Sequence, residues 1–597
     1  MDKLVVAIDI ETHDPRLKFL GSGAIRRDGF IIGVGMYSPG LYNDFYKIDS
    51  PIVADVLGDP EITKVFHNGV YDLDWLMNGY DLPVNGRCED TMTRESLLDS
   101  YAFSYSLDSC CERRGVTGKN KEDTIDAFWK GYGGKGKAVE HLKDIPFPIV
   151  GKYCIQDCKA TFDLYTVQQS LLEQQGLVNA NDIEVRLYPL LMRMRRNGFR
   201  INTSARAVLS DKFNIDYDDG IRELEKQYHI TDLSLNSATQ LETIWKQEGI
   251  PIEYTSTGRP SFAVGVLEKC TSPVAEKIKH LRALQKTLNT FIDAGFVDGQ
   301  FNGHIYSTFY PAKRDEGGTV TGRWSSQNIN LQQIPARKEK FGGEIRSLFI
   351  PENGCLLGAF DYKQIEYRVF THFATGPGSV ETQARFNADP DLDYHQMTLD
   401  MMGWTDRHLA KNFNFGSIYG LGSRSFAERF RGSLLSAHPE ADPDNLFPLA
   451  QSLMNEYFHK VTFAKPTCNR IQEVATKRGY VRTLSGRHQR LPPDGKVYKM
   501  VNYLIQGSAS DILKKGLVDA WDEGVFNTLI MHAVVHDENV FSIPCTKEGF
   551  EACQTFYRCM TNSYKLKIPV GVDTEIGPDW GHCSMDNWNE FQKEFKA

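Results

Sequence analysis

The sequence lacks any apolar run near the roughly 20 residues that a membrane-spanning helix requires. Nor is a secretory leader expected: in MDKLVVAIDIETHD the apolar stretch is short, and Asp9 and Glu11 break it. The expectation is a soluble, intracellular protein with no membrane partner. Cysteine is scarce, 12 in 597 residues, which excludes a disulfide-stapled scaffold. Cys110/Cys111 and Cys154/Cys158 lack the spacing and the second half of a zinc site, so they read as reduced thiols, many of them buried. Positive charge is not in excess: 68 Lys and Arg face 77 Asp and Glu, for a net charge of -9. That excludes a globally basic coat for nucleic acid, but not a local basic patch, which is all that phosphate contacts need. Repeats and low-complexity tracts are missing, so solenoids and disordered tails are excluded. So is a phosphate loop. GYGGKGKA, residues 131–138, nearly spells G-x-x-x-x-G-K-[ST], but Ala138 stands where a hydroxyl belongs and DTIDAFWK before it is no apolar strand.

What is present is an ordinary globular composition, 41% apolar and 24% charged, in a chain long enough for several domains. Residues 1–185 read as α/β: strands at KLVVAIDIE and ITKVFHN, then a helix through GKYCIQDCKATFDLYTVQQSLLEQQG that ends at Gly176. Residues 186–300 read as mostly helical, in IEVRLYPLLMRMRRNGF, ATQLETIWKQEG and VAEKIKHLRALQKTLNTFI. Beyond about residue 300 strands and helices mix.

Carboxylates cluster in two places. Asp9 and Glu11 stand two apart at the end of the first strand, so they share a face and can hold one metal from the same side. HNGVYDLDWL adds Asn68 and Asp72, and YCIQD adds Tyr153 and Asp157 on one helical face. Four carboxylates and a phenol suit two-metal phosphodiester hydrolysis, in which one ion activates water and another, roughly 3.5–4 Å away, stabilises the leaving oxygen. Tyr153 could orient the water. These motifs resemble the DEDD-type 3′→5′ exonucleases with Tyr in the third motif, which implies an RNase H-like fold.

The second cluster starts at Asp361 in LLGAFDYKQIEYRVFTHFA, where a strand gives way to a helix. VVHDENVFSI, residues 534–543, reads as strand, tight turn, strand, with Asp537 and Glu538 at its tip. A solvated turn would by itself account for those acids. Between the two, Arg407, Lys411, Phe415 and Tyr419 recur every four residues in RHLAKNFNFGSIYGLG and share one helical stripe. Two cations followed by two aromatics suit a triphosphate at one end and a base at the other.

With TGRWSSQNINLQQIP (321–335), GEIRSLFIP (343–351), GYVRTLSGRHQRLP (479–492) and NYLIQGSASDILK (502–514), the chain resembles family A DNA polymerases along essentially its whole length. The resemblance implies an α/β multidomain protein: exonuclease at 1–185 and polymerase at 186–597. In the hand, the thumb falls at about 200–310, the palm at about 311–372 and 495–597, and the fingers at about 373–494. It implies Asp361 and Asp537 as palm metal ligands, Glu538 as an auxiliary acid, and Lys411 as a catalytic cation that, with Arg407 and His395, contacts the incoming triphosphate. Phe415, Tyr419, Tyr362, Gln364 and the steric gate Glu366 would complete the dNTP site. Arg323, Arg346, Gln506, Asn502 and His536 would contact primer–template DNA. Asp9, Glu11, Asp72 and Asp157 would hold the exonuclease metals. Mg2+, two ions per site and replaceable by Mn2+, is the implied cofactor.

Departures are local. Lys363 replaces a small residue, and Ile329 and Gln333 replace the usual Pro and Asn. Too few residues separate TSTGRPSFAVGVLE from HLRALQKTLNTFI for the thumb insertion of some phage relatives, which argues against a thioredoxin-type partner. The modest length points to a phage enzyme of the host cytoplasm, with a replisome helicase or primase left open as partners. A nuclease with a dead hand would not need intact Asp361, Lys411, Asp537 and Glu538. An RNA polymerase would not need Glu366 or the exonuclease motifs. A non-enzymatic DNA binder would not need two acid clusters, which repel phosphate unless metal fills them.

Overall fold

The computed structural model describes residues 3–118, 124–293, 295–296, 299–312 and 319–596. The N-terminal sheet holds β1 (Val5–His13), β2 (Phe30–Ser38), β3 (Tyr42–Tyr46), β4 (Thr63–Phe66) and β5 (Cys88–Asp90), in the order β3-β2-β1-β4-β5. β1 runs antiparallel to β2 and parallel to β4. Alternation sends Val6, Ile8 and Ile10 into the main core, while Ala7 joins the smaller cluster under α1 (Phe147–Gln175). That helix covers the other face of the sheet and ends at Gly176 with φ +66°, a left-handed cap that glycine adopts without strain.

GYGGKGKA follows the helix Thr124–Gly131, not a strand, and its backbone wraps Trp129, whose Nε1 donates to the Lys135 carbonyl at 3.1 Å. The segment is no phosphate loop. The expected helix at 186 is two: α2 (Val178–Arg186) and α3 (Tyr188–Asn197), divided before Pro189, whose ring takes the first turn of α3. The longest helix of the 186–300 region, α4 (Thr203–Tyr228), was not among those expected. Its apolar residues are too sparse for a strong stripe, and only Phe213, Gly220, Leu224 and Tyr228 are buried. It packs against α5 (Pro273–Thr287).

The C-terminal sheet is antiparallel throughout. It contains β6 (Cys355–Tyr362), β7 (Ile530–Val535), β8 (Glu538–Pro544) and β9 (Val572–Gly577), in the order β7-β8-β6-β9. Helices α6 (Ile365–Phe373), α7 (Tyr394–Met402), α8 (Arg407–Ile418) and α9 (Lys499–Asp522) accompany it.

The two halves are joined by buried polar contacts as well as by core. Glu184 of α2 accepts from Lys514 of α9 at 2.6 and 2.8 Å and from Arg487, and all three side chains are buried. Lys514 also donates to the Pro311 carbonyl at 2.5 Å. Arg195 of α3 donates to Asp74 at 3.2 Å and to the Ser22 carbonyl at 3.0 Å.

Candidate active sites

The first site forms on β1. Asp9 pairs with Gly35 across the sheet, and Glu11 with Gly33, so each acid and its partner share a face. A Cβ on Gly35 would lie 2.6 Å from Cys154 Sγ and 2.9 Å from Cys158 Sγ; one on Gly33 would enter the Phe45 ring at 2.3 Å. Gly35 lets α1 press onto the acidic face, and Gly33 makes room for the Phe45 ring of β3. Donor atoms of Asp9, Glu11 and Cys154 consequently lie within 4.8 Å of one another, the one such group among the described residues. The Cys154 thiol donates to Asp9 Oδ2 at 3.4 Å.

Asp72 sits on a short helix, Gly69–Leu73, that runs into a π-helical turn. Its carboxylate accepts from the Ile10 amide at 3.1 Å. Burial first, and the Asp9 charge second, push its pKa well above the usual carboxylate range. Asp157 is buried on α1, and Asp9, Asp157 and Asp72 all act on the Cys158 thiol, which places them in one neighbourhood. Tyr153 lines the adjoining cleft together with Glu11 and Tyr71. Sequence reasoning passed over Asp90, which bonds the amides of Gly69 (2.8 Å) and Met92 (2.7 Å) and the Tyr188 hydroxyl (2.7 Å). It thereby fixes the helix that carries Asp72. Its signal was legible as an N-cap acid before the helix Thr91–Leu98.

The second site lies on the C-terminal sheet. Asp361 pairs with Glu538 on one side and Asp573 on the other, so three acids stand in a row on one face. The β7–β8 connection is a two-residue hairpin, His536–Asp537, with His536 at φ +58°, as a tight two-residue hairpin turn requires. Asp361 opens to the cleft yet is hemmed in by protein on its other sides. Burial, then the charges of Asp537, Glu538, Asp573 and Glu575, raise its pKa well above the usual range. Four of these five acids have cationic partners. Arg323 reaches Asp537 at 3.8 Å and Glu366 at 2.6 Å. Arg346 reaches Glu538 at 3.1 Å, Lys363 reaches Asp573 at 3.2 Å, and Arg337 holds Glu575. Among the described residues, Asp361 makes no ion pair.

Several expectations need correction. Arg346 is buried: it donates to the Pro335 carbonyl at 2.9 Å, bonds Glu538 and stacks 4.1 Å over Trp580, so it positions an acid and is not open to a duplex. Tyr362 points to the opposite face from Asp361, as strand alternation demands, and lies buried against Gly516. It can offer the cleft only its backbone. Gln364 uses both ends of its amide on α7, donating to Asp393 at 2.8 Å and accepting from the Tyr394 amide at 2.9 Å. Tyr419 lies one residue past α8, though its amide still bonds the Phe415 carbonyl at 3.0 Å. Trp580, unforeseen, donates to Glu538 at 2.9 Å.

Arg407, Lys411 and Phe415 share the α8 stripe, and Tyr419 continues it one residue past the helix end. Lys411 Nζ is 5.9 Å from the Phe415 ring, which is 5.7 Å from Tyr419 and 5.2 Å from Tyr367. Arg407 at the N-terminal end bonds Asp393 at 3.2 Å. Burial alone would raise Asp393, but bonds from Gln364 and Arg407 bring it down to about 2. His395 is buried, which lowers its pKa to about 4, and its Nδ1 meets the Asn414 amide at 3.1 Å. Gln506 bonds Glu366, whose pKa burial raises against the pull of Arg323. Asn502 is half-buried on the first turn of α9, and His536 is exposed beside Asp537.

Residues 207–582 match DNA polymerase family A, and residues 2–173 match a 3′-5′ exonuclease family. The chain belongs to DNA polymerase family A. It is a DNA-directed DNA polymerase with an N-terminal 3′→5′ exonuclease domain. The polymerase is 29% identical to a DNA-directed DNA polymerase of Pseudomonas phage M6, covering 97% of this chain and 94% of that one. It is 27% identical to DNA polymerase DpoZ of Acinetobacter phage SH-Ab 15497, covering 92% and 93%. DNA polymerase I of Pseudomonas aeruginosa is 28% identical over 88% of this chain but only 57% of its own length. In fold, the polymerase is similar to the polymerase domain of Pol1 from M. smegmatis, solved in complex with DNA primer-template and dNTP. The TM-score is 0.76 at 21% identity, covering 96% of this chain and 95% of that one. Among the described residues no helix is long and apolar enough to cross a membrane.

Proposed function

We propose that this polymerase replicates phage DNA, extending primers at the Asp361–Asp537 cluster and excising 3′ ends at the Asp9–Glu11 cluster, with Mg2+ at both. The observation that carries this reading is two acid clusters on two separate sheets, each with a carboxyl pushed well above its usual pKa by neighbouring acids as well as by burial. Such crowding suits sites that a divalent cation neutralises. The oxygen donors of the C-terminal cluster fit Mg2+. Bound there, divalent ions would activate the attacking oxygen and offset leaving-group charge.

The protein's own groups then have these roles. Arg407 and Lys411 bind the triphosphate, leaving the Phe415 and Tyr419 rings to the sugar and base. His395, neutral at physiological pH, offers a hydrogen bond and no charge. Glu366 crowds the ribose 2′ position. Arg323, Gln506, Asn502 and His536 contact the primer–template. Arg323 bridges Glu366 and Asp537, and so changes partners when nucleotide enters. On this reading the C-terminal sheet is the palm, α7 and α8 belong to the fingers, and α4 and α5 to the thumb.

The test is a primer-extension gel with Mg2+, with and without dNTPs. Wild type extends a labelled primer in their presence and shortens it in their absence. Failure to extend while shortening persists would reduce the chain to a nuclease. A second expected result concerns Phe415, which lacks a hydroxyl near the sugar. Phe415→Tyr raises dideoxynucleotide incorporation roughly tenfold, about what one new hydrogen bond contributes. Unchanged chain-termination patterns would remove Phe415 from the sugar site.

A further inference from the structure

We propose that the Asp393 carboxylate competes with the incoming triphosphate for Arg407, so that nucleotide binding exchanges one anion for the other and release of pyrophosphate exchanges them back. The inference rests on the assignment of Arg407 to the triphosphate above and deepens it, by naming what that side chain gives up. Arg407 donates from Nε, at 3.2 Å, and from Nη2 to one and the same oxygen, Asp393 Oδ2. Asp393 is its one carboxylate partner among the described residues. Lys411, one turn further along the stripe, makes no ion pair among those residues. Asp393, Arg407 and Lys411 all act on the charge of His395, which puts the competing acid among the groups read as triphosphate contacts.

The two partners are held differently. Asp393 is pinned through its other oxygen: Oδ1 accepts from Gln364 Nε2 at 2.8 Å and, as the N-cap of α7, from the amides of His395 at 2.8 Å and Gln396 at 3.1 Å. The segment before it is tied to the end of β6 and to α6, where Lys363 donates to Asp391 at 2.7 Å and Arg368 to the Pro390 carbonyl at 2.7 Å. Arg407 is carried on α8 with its side chain 50% exposed, so it is the partner free to turn. The carboxylate cannot follow it. An exposed ion pair of this kind is worth at most about fivefold in an equilibrium, weak enough to be exchanged. A polyphosphate offers the same charge-assisted bonds with more oxygens and more charge. Displaced or not, Asp393 stays ionised, its carboxyl held at about 2, and as a like charge it opposes a polyphosphate beside it.

The test is a double-mutant cycle on the full chain, read by single-turnover incorporation of one dNTP into a primer–template with Mg2+. Asp393→Asn keeps the helix cap and an acceptor for Gln364 but removes the charge. Asp393→Ser, which also caps a helix, takes its place if the Asn variant melts early. The expected result is an apparent dNTP dissociation constant roughly three- to fivefold below the parent's, the range that release of one exposed ion pair allows. Added pyrophosphate inhibits at a concentration lower by a similar factor. Arg407→Ala weakens both ligands, and in that background Asp393→Asn changes neither constant. A folded Asp393 variant that binds dNTP no better than the parent, or worse, overturns the proposal, because the carboxylate would then merely support Arg407. So does the same tightening in the Arg407→Ala background, which would make Asp393 a repulsive charge acting without Arg407. If Arg407→Ala leaves dNTP binding at the parental value, the assignment of Arg407 to the triphosphate fails, and the competition fails with it.

Discussion

Asp537→Ala lowers primer extension by about a thousandfold or more, while 3′→5′ degradation continues at the parental rate. Asp9→Ala does the reverse. The magnitude follows from removing a carboxylate that binds a catalytic cation, an effect of several kcal/mol on the barrier at about 1.4 kcal/mol per tenfold. The separation follows from the architecture. Asp537 is at the tip of the β7–β8 hairpin and Asp9 is on β1, in a different sheet, so neither substitution reaches the other cluster. Asp537 is a half-exposed turn residue, and Arg323 retains Glu366 as a partner at 2.6 Å when Asp537 is gone. Melting should therefore shift little. A labelled-primer gel with both variants decides the matter. If Asp537→Ala abolished both activities while still folding, the two clusters would not be independent centres.

Asp361 is the sharper partner to this test. It alone among the five clustered acids lacks a cation in the described structure. Asp361→Asn relieves the repulsion that raises its pKa, so it should fold at least as well as the parent while losing extension. A stabilised, inactive variant is the signature of a carboxylate kept for chemistry at the expense of stability.

How much of this was legible depended on distance along the chain. The D-x-E strand, the HDE hairpin and the α8 stripe are local periodicities, readable from residues that are close in sequence. The same strand rule would have found Asp573 and Glu575, two apart on β9, but the motif reading stopped short of them. Tyr362 differs: the resemblance placed it in the dNTP site, whereas strand alternation turns its side chain to the face opposite Asp361. Arg346 and Trp580 could not be read, since a basic residue in a DNA-binding motif carries no mark of turning inward. Neither could Gly33 and Gly35, whose importance lies in the Phe45 ring packed on the first and the helix that presses on the second.

The buried group at the junction of the two halves was the least legible, because Arg487 and Lys514 lie 303 and 330 residues from Glu184. It also predicts the largest stability change. Glu184→Gln leaves Lys514 and Arg487 buried without their shared acid, and breaking a buried pair by removing one partner costs about 3–5 kcal/mol. The pH dependence has a definite sign. Burial pulls the Lys514 pKa down to about 8 even with Glu184 beside it. An unfolded lysine titrates near 10.4. Between those values the unfolded chain holds the extra proton, so this group's contribution to stability rises with pH across that window. Without Glu184 the Lys514 pKa falls further, and the variant regains stability as Lys514 becomes neutral. The deficit relative to the parent therefore narrows between pH 7 and pH 9, where the parent loses the Lys514 proton that the variant has already shed, though the unpaired Arg487 keeps it from closing. Because α9 also carries Asn502 and Gln506, extension and degradation should fail together on warming, and at a lower temperature than in the parent. Urea melts at the two pH values measure the effect. An equal deficit at both would mean that Lys514 is not the group left stranded.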